Sequence, residues 1–380
     1  MYYKQIDGEE KRGMSKNAKL GIIVLVELIT IVILGICLVK AYAHSKYSLV
    51  DVNELDKKVI EINEGANADM AGYTSIALFG IDARDSSLGA GNRSDSIMVI
   101  CINDSTREVR IASVYRDTLL EIEDEDGYTN KINAAYAFGG PELAIKSLNT
   151  NLDLNISEYI SVNWEGLTRA IDALGGVDVH VEEDELEVLN EALTEQIAVN
   201  GIYSDGVFTT GDLTLNGAQA TAYARIRSTG QGDITRTERQ REVLNSMMVK
   251  MKSAGFSGLN NMINELFPYI STSISEKQMI SYAKKISDYE VTKTTGFPIR
   301  FTFYDSDYKG SCIAADNLTE NVSALQKFLF GTDNYVPSAK VQEINSKLTD
   351  ETGIYGSGPI ESEPAEQDSP GSSDGSGESE

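Results

Sequence analysis

Residues 223–241 read Tyr-Ala-Arg-Ile-Arg-Ser-Thr-Gly-Gln-Gly-Asp-Ile-Thr-Arg-Thr-Glu-Arg-Gln-Arg. Arg225, Arg227, Arg236, Arg239 and Arg241 fall here, five of the chain's 13 arginines, although the chain's formal charge is −25. Guanidinium groups suit a bidentate grip on phosphate or carboxylate oxygens. Gly230 and Gly232 permit close backbone approach, and a helix start offers N–H groups to the same anion. Thr235 and Glu238 have capping-box spacing, which predicts a helix beginning at Arg236. Val243, Leu244, Met247, Met248 and Met251 then form one apolar face of a 3.6-residue period. Arg236 and Gln240 extend that face toward the helix start, whereas Arg241 lies off it. A cation on the inward side of a first helical turn opposes the helix dipole unless an anion shares the site. The plainer alternative is a buried arginine paired with Asp233 or Glu238. Five arginines together favour an anion site.

A second set of polar residues lies at the ends of apolar runs. Asp82 and Arg84 follow Thr74–Ile81, Arg93 and Asp95 precede Ser96–Ile102, and Arg116 and Asp117 end Val109–Tyr115; Lys131 and Asn133 come next. Loops at strand ends are where α/β folds build sites. Asp82 and Asp95, brought together by flanking strands, could hold Mg²⁺, which takes carboxylate, water and substrate phosphate oxygens. The alternative is that each Asp pairs with its neighbouring Arg at the surface.

Other chemistries lack their residues. There is no G-x-x-x-x-G-K-[ST] and no G-x-S-x-G. The two histidines are His44 and His180, so a His-based triad and a zinc site are disfavoured. His180, inside a strand, reads as a packing or edge residue. The acidic runs Glu121–Asp126 and Glu182–Glu187 lack EF-hand spacing and read as solvated loops; the stretch 182–210 as a whole reads as a loop, where substrate specificity would lie. With 58 acidic against 33 basic residues, nucleic acid is not an expected partner. Three cysteines are too few for a disulfide scaffold. Cys101, in an apolar run, reads as a buried thiol, and pairing with Cys312 is the less favoured alternative. Cations and acids without a nucleophile fit phosphoryl or glycosyl-phosphate chemistry done by charge stabilisation and positioning.

Stepping along the chain, residues 1–19 are polar and basic, and 20–40 form an apolar segment long enough to span a bilayer, with Glu27 inside it. The flanking charges place residues 1–19 in the cytoplasm and everything after the span outside the cell. Residues 41–70 read as a stalk, a short charged helix over 45–70, 71–335 as the folded domain, and 336–380 as an acidic, disordered tail. Within the domain, strands are expected at 74–81, 96–102, 109–115, 158–163, 177–181 and 299–304, the second and third as an antiparallel hairpin. Helices are expected at 141–152, 164–174, 216–224, 236–252, 258–267, 275–287 and 317–330. Interleaved strands and helices indicate an α/β domain.

In this order, Gly80-Ile-Asp82-Ala-Arg84, Arg93-Ser-Asp95-Ser-Ile-Met-Val, Arg116-Asp117-Thr118, Lys131-Ile-Asn-Ala-Ala-Tyr, Ile171-Asp-Ala-Leu-Gly-Gly-Val, Tyr223-Ala-Arg-Ile-Arg227 and Gly232-Asp-Ile-Thr-Arg236 with Arg239-Gln240 strongly resemble the LytR-CpsA-Psr family. The resemblance covers roughly residues 74–250. It implies a single α-β-α sandwich ectodomain with a central mixed sheet behind one transmembrane helix, anchored in the cell membrane of a Gram-positive type bacterium. It further implies a phosphotransferase that moves an anionic glycopolymer, of teichoic acid or capsular type, from a polyprenyl-pyrophosphate carrier to peptidoglycan. An apolar pocket would take the lipid tail. Carried over to this chain, Asp82 and Asp95 would ligate Mg²⁺ or Mn²⁺. Arg84, Arg93, Arg225, Arg227, Arg239 and Gln240 would grip the pyrophosphate with Lys131 and Asp233 in support, and the catalytic residues would be Arg116 and Arg236, which also grip it and stabilise its charge, with Asp82 as the general base. The chain departs from the family pattern at Tyr115, where many members carry Pro, and in a longer loop between Asp82 and Arg93. Two rival functions use the same arginines: hydrolysis of the lipid pyrophosphate, and non-catalytic binding or sensing of acidic wall polymer.

Overall fold

Alternation of apolar residues builds the centre of the molecule. In the strand Tyr73–Ile81, Ala77, Phe79 and Ile81 join one apolar cluster while Ile76 and Leu78 join another. In Ser94–Asn103, Ile97, Val99 and Cys101 face the first and Met98, Ile100 and Ile102 the second. Successive strand side chains point to opposite faces, so both faces of this sheet are covered.

The computed structural model describes residues 38, 40–60, 70–82, 88–122 and 128–356, with only the backbone of 199 and 200. The chain divides into two units, Met1–Ser48 and Leu49–Glu380. In the first, residues 40–47 are helical. No helix among the described residues is long and apolar enough to cross a membrane; the expected span at 20–40, with Glu27, lies almost wholly outside them, as do residues 1–19 and 357–380.

The second unit begins with β1 (Asp51–Val52), β2 (Tyr73–Ile81), β3 (Ser94–Asn103) and β4 (Glu108–Val114), then a small hairpin, β5 (Leu119–Ile122) and β6 (Tyr128–Lys131). Helix α1 (Asn133–Leu152), β7 (Glu158–Asn163), α2 (Trp164–Ala173), β8 (Val177–Val181), α3 (Leu186–Asn200), β9 (Gly211–Leu215) and α4 (Gly217–Tyr223) follow. The chain continues through α5 (Asp233–Ser253), α6 (Gly255–Leu266), β10 (Ile270–Thr272), α7 (Glu276–Ala283), β11 (Glu290–Phe297), β12 (Phe301–Ser306), β13 (Gly310–Ala315), α8 (Leu318–Phe330) and α9 (Ala339–Thr352).

A seven-stranded mixed sheet runs β1-β10-β7-β2-β3-β4-β11. β3 is antiparallel to both neighbours, β7 is parallel to β2, and β11 is parallel to β4. Its first face carries the larger cluster, with Ala144, Ile145 and Leu148 of α1, Leu325 and Leu329 of α8 and Ile344 of α9. Its second face meets Leu244 of α5 and Met279 and Tyr282 of α7. That is an α-β-α sandwich. A third cluster, outside the sandwich, joins α2, α3, α4, α6 and the β8–β9 hairpin to Val243 and Met247 of α5.

Most elements lie where the sequence places them, and five corrections follow. Helix α5 starts at Asp233, three residues before the expected Arg236, with Gly232 (φ 64°) at its cap; no side chain caps it. Thr235 instead accepts a hydrogen bond from the Gln231 N–H at 2.9 Å. The region 182–210 is not an open loop but contains α3, and Glu185 at its start is buried. The tail is not disordered from 336. α9 buries Val341, Ile344 and Leu348, while Lys340 and Lys347 each reach buried Glu121 at 2.6 Å. Glu121 itself is therefore a buried strand residue, not part of a solvated loop; 123–127 lie outside the described residues. Finally, the stalk is not one helix: Asp51–Val52 pairs with β10, and Ile60 lies in the main core. Cys101 and Cys312 are free, buried thiols, and burial pushes Cys101 up to about 12.

Candidate functional site

The β2–β3 register delivers the first carboxylates. Gly80 pairs with Ser96 but Ile81 pairs with Ser94, so Asp95 is the extra residue of a β-bulge. A bulge re-aims a side chain at a sheet end. Gly80 is required beside it, because a Cβ there would lie 2.9 Å from the Ser96 Cβ. Asp82 follows directly at the same end of the sheet. The loop returning toward Arg93 is pinned to the first turns of α1: Tyr136 Oη donates to Leu88 O at 2.5 Å, and the Gly91 N–H donates to Ala137 O at 2.8 Å.

At the end of β4, Arg116 reaches between two acids. Its Nη1 lies 2.8 Å from Asp95 Oδ1 and its Nε 2.9 Å from Asp233 Oδ2. Burial works against its charge, but Asp95, Asp233 and Asp117 outweigh it and raise its pKa further. Asp233 occupies the first turn of α5, where a carboxylate complements the helix dipole. It also meets Arg227 Nε at 3.3 Å and Arg236 Nη2 at 3.3 Å. Arg236 is 2 % exposed and donates from Nη2 to the Asp95 carbonyl at 2.9 Å. Its Nε is buried with no partner. Desolvation lowers the Arg236 pKa to about 10, which still leaves it charged at neutral pH. Arg236 is thus the buried, Asp233-paired arginine of the plainer alternative and also part of the anion-facing set.

These side chains open on a cavity of about 560 Å³ lined by Asp82, Gly91, Asn92, Arg93, Asp95, Arg116, Trp164, Ala192, Glu195, Arg225, Arg227 and Arg236. Five arginines face three carboxylates, and Asp95 is already engaged by Arg116 and Arg227. Arg225 stacks over the Trp164 ring at 5.5 Å from its centroid. A cavity of this size and charge can hold an anion larger than a single phosphate. Trp164 also lines a second, apolar cavity of about 70 Å³ with Leu78, Met98, Leu167, Val243, Leu244 and Met247. Trp164 thus belongs to the lining of both.

Of the residues singled out from sequence, Asp82, Arg93, Asp95, Arg116, Arg225, Arg227 and Arg236 come together in this cavity. Asp233 stands behind it as the acid holding three of the arginines. Lys131 is a layer further out, 3.3 Å from Asp117, which in turn meets Arg116. Arg84 lies outside the described residues. Gln240 faces the apolar cavity instead, with its Nε2 3.4 Å from Ala224 O and its Oε1 unpaired. Arg239 is not in the cavity. It is 3 % exposed and bound to Glu185 at 2.6 Å, to Ile226 O and to Thr229. That pair ties the start of α3 to α5. Arg241 lies off the site, donating toward Thr295 O. His180 is an exposed edge residue of β8, bound to Asp212 at 2.7 Å. Sequence reasoning missed Trp164, Glu195 and Glu185. The chain's one tryptophan, set directly after a strand end, was a usable signal; Glu195 and Glu185 had none while α3 read as loop.

A metal would find two carboxylates here, Asp82 and Asp95, at adjacent strand ends. Mg²⁺ commonly uses one or two carboxylates with waters and substrate phosphate oxygens, so this donor set fits. Among the described residues no group of three or more His, Cys, Asp or Glu forms an all-protein cage.

Comparison with known proteins gives a consistent result. Residues 37–326 match the family described as "LytR_cpsA_psr family". The polyisoprenyl-teichoic acid–peptidoglycan teichoic acid transferase TagU of Bacillus anthracis is 32 % identical over 266 residues, covering 67 % of this chain and 81 % of that protein. Biofilm regulatory protein A of Streptococcus mutans is 32 % identical over 245 residues, covering 61 % of this chain and 58 % of that one. Among solved structures, TagV of B. subtilis superposes with a TM-score of 0.55 at 26 % identity, over 70 % of this chain and 98 % of that one.

Proposed function

The chain belongs to the LytR-CpsA-Psr family, and we propose that it transfers an anionic glycopolymer from a polyprenyl-pyrophosphate carrier to peptidoglycan. One observation carries this reading: a five-arginine cavity adjoins an apolar cavity through Trp164. A lipid pyrophosphate has that same division into charged head and apolar tail. The relative named as a teichoic acid transferase supports the assignment to enzymes that transfer phosphorus-containing groups. Anchoring through the apolar segment 20–40 would hold the domain at the outer membrane face, where such a lipid resides.

The chemistry asked of the residues is positioning and charge stabilisation. Arg93, Arg116, Arg225, Arg227 and Arg236 bind the pyrophosphate oxygens and stabilise charge that grows on them during displacement. Asp95 and Asp233 hold the guanidinium groups in place before substrate arrives, so little reorganisation remains at the reacting step. The acceptor hydroxyl oxygen attacks the glycan-side phosphorus, forming a new P–O bond. The bond to the bridging oxygen breaks, and polyprenyl phosphate leaves with the electron pair. The hydroxyl proton goes to the carboxylate of Asp82. Asp82 and Asp95 would also hold Mg²⁺ or Mn²⁺, which supplies further neutralisation of phosphate oxygens when bound.

The test is turnover with a glycan-bearing polyprenyl pyrophosphate and a peptidoglycan oligomer. Arg236→Ala is expected to lower kcat on the order of 10²–10³, with Arg236→Lys recovering little because a lysine cannot reproduce the fork. A near-full rate in Arg236→Ala would overturn the assignment.

A further inference from the structure

Glu195 is an acid on the wall of an anion cavity. The helix that carries it, α3, is firmly seated. Leu189 and Leu193 are buried, Gln196 donates to Thr221 Oγ1 at 2.7 Å, and Glu185 is locked to Arg239 at 2.6 Å. Ala192 and Glu195, three residues apart on one helix face, line the cavity with Trp164 and Arg225. Glu195 makes no ion pair with any described residue, although five arginines share the cavity with it. Asp95 and Asp233, by contrast, already pair with guanidinium groups. A carboxylate facing a pyrophosphate repels it. Glu195 is exposed, so water satisfies it in the free chain; once a ligand displaces that water, its place is favourable when it accepts from a donor that the ligand brings. Carbohydrate hydroxyls are such donors. Resting on the function proposed above, we propose that Glu195 is a specificity-determining residue that accepts a hydrogen bond from a hydroxyl of the sugar held beside the pyrophosphate.

The chain's single tryptophan, Trp164, lines the cavity and makes its fluorescence the readout. The full chain in detergent is titrated with bare polyprenyl pyrophosphate, with the same lipid carrying one N-acetylhexosamine, and with a lipid-free peptidoglycan oligomer. A lost hydrogen bond to a charged group corresponds to about tenfold or more in affinity. Glu195→Ala is expected to weaken the sugar-bearing lipid by that factor if the sugar is the donor's. It is expected to weaken the oligomer instead if the sugar is the acceptor's. The bare lipid is expected to bind unchanged or more tightly. Glu195→Gln, whose amide oxygen still accepts, is expected to retain most of the affinity and of the turnover, which a proton-accepting role would not allow. Equal effects on bare and sugar-bearing lipids, or no effect on any ligand, would overturn the role of Glu195 and leave the transferase standing. Failure of the unsubstituted chain to take up either lipid would overturn both.

Discussion

Asp233 holds Arg116, Arg227 and Arg236 at once, so the charge of one carboxylate sets the geometry of three cations. Asp233→Asn keeps the shape and removes that charge. It is expected to lower kcat/KM roughly 10- to 100-fold, the usual effect of losing a partner that orients ligand-binding groups, while circular dichroism shows α5 intact. An unchanged kcat/KM would show that the arginines are held by something else. Sequence spacing correctly brought Arg225, Arg227 and Arg236 together, because all three lie near one helix start. The same spacing misassigned Arg239, which is buried against Glu185. Its partner comes from a segment with no readable helix signal, so the ion pair could not be anticipated. Glu195 was hidden for the same reason.

Elements position these residues through close packing at a few points. Tyr115 is buried against Phe301, Ile234 and Ile313. Its ring occupies space that Gly296 leaves open, since a Cβ at 296 would sit 2.0 Å from Tyr115 Oη. Gly296→Ala is expected to destabilise the fold by about 1–3 kcal/mol through overpacking, seen as a lower thermal midpoint; an unshifted midpoint would contradict the tight fit. The C-terminal helix α9 is held through Glu121. Burial pushes the Glu121 pKa up, but Lys340 and Lys347 outweigh it and bring the net shift below the ordinary value. The stabilisation from a depressed carboxylate is complete above its unfolded pKa, about 4.3, and is lost as pH falls through the lower folded value. Glu121→Gln is therefore expected to be less stable than the unsubstituted chain at pH 6, with the gap closing as pH falls below the ordinary carboxylate range. A pH-independent gap would mean that packing alone secures α9. The bulge at Asp95 and the α9 docking were not readable from sequence, because both depend on which distant strand or helix lies opposite. The β3–β4 hairpin was readable, because alternation and a short turn define it locally.

At the scale of the molecule, the sheet brings the ends of β2, β3 and β4 together, and α5 crosses them with its arginine-bearing start. A charged cavity beside an apolar one is the consequence, and it suits the lipid-linked anionic substrate proposed above. The proposed magnesium dependence belongs at this scale, since Asp82 and Asp95 come from different strand ends. Chelation by EDTA is expected to abolish turnover of the unsubstituted chain, and Mg²⁺ or Mn²⁺ to restore it; full turnover in chelator would remove the metal from the reaction. The layered α/β fold was readable because strands and helices interleave along the chain, whereas the separate cluster around α2–α4 and α6 was not, since its helices pack on one another, on the β8–β9 hairpin and on α5 rather than on the central sheet. The most direct measurement is mass spectrometry of the peptidoglycan oligomer after incubation with the chain, a glycan-bearing polyprenyl pyrophosphate and Mg²⁺. The expected product is the oligomer joined to the glycan through one phosphate, with polyprenyl monophosphate released in equal amount, and neither formed by Arg236→Ala. Release of polyprenyl monophosphate with the oligomer unmodified would contradict transfer and identify a hydrolase.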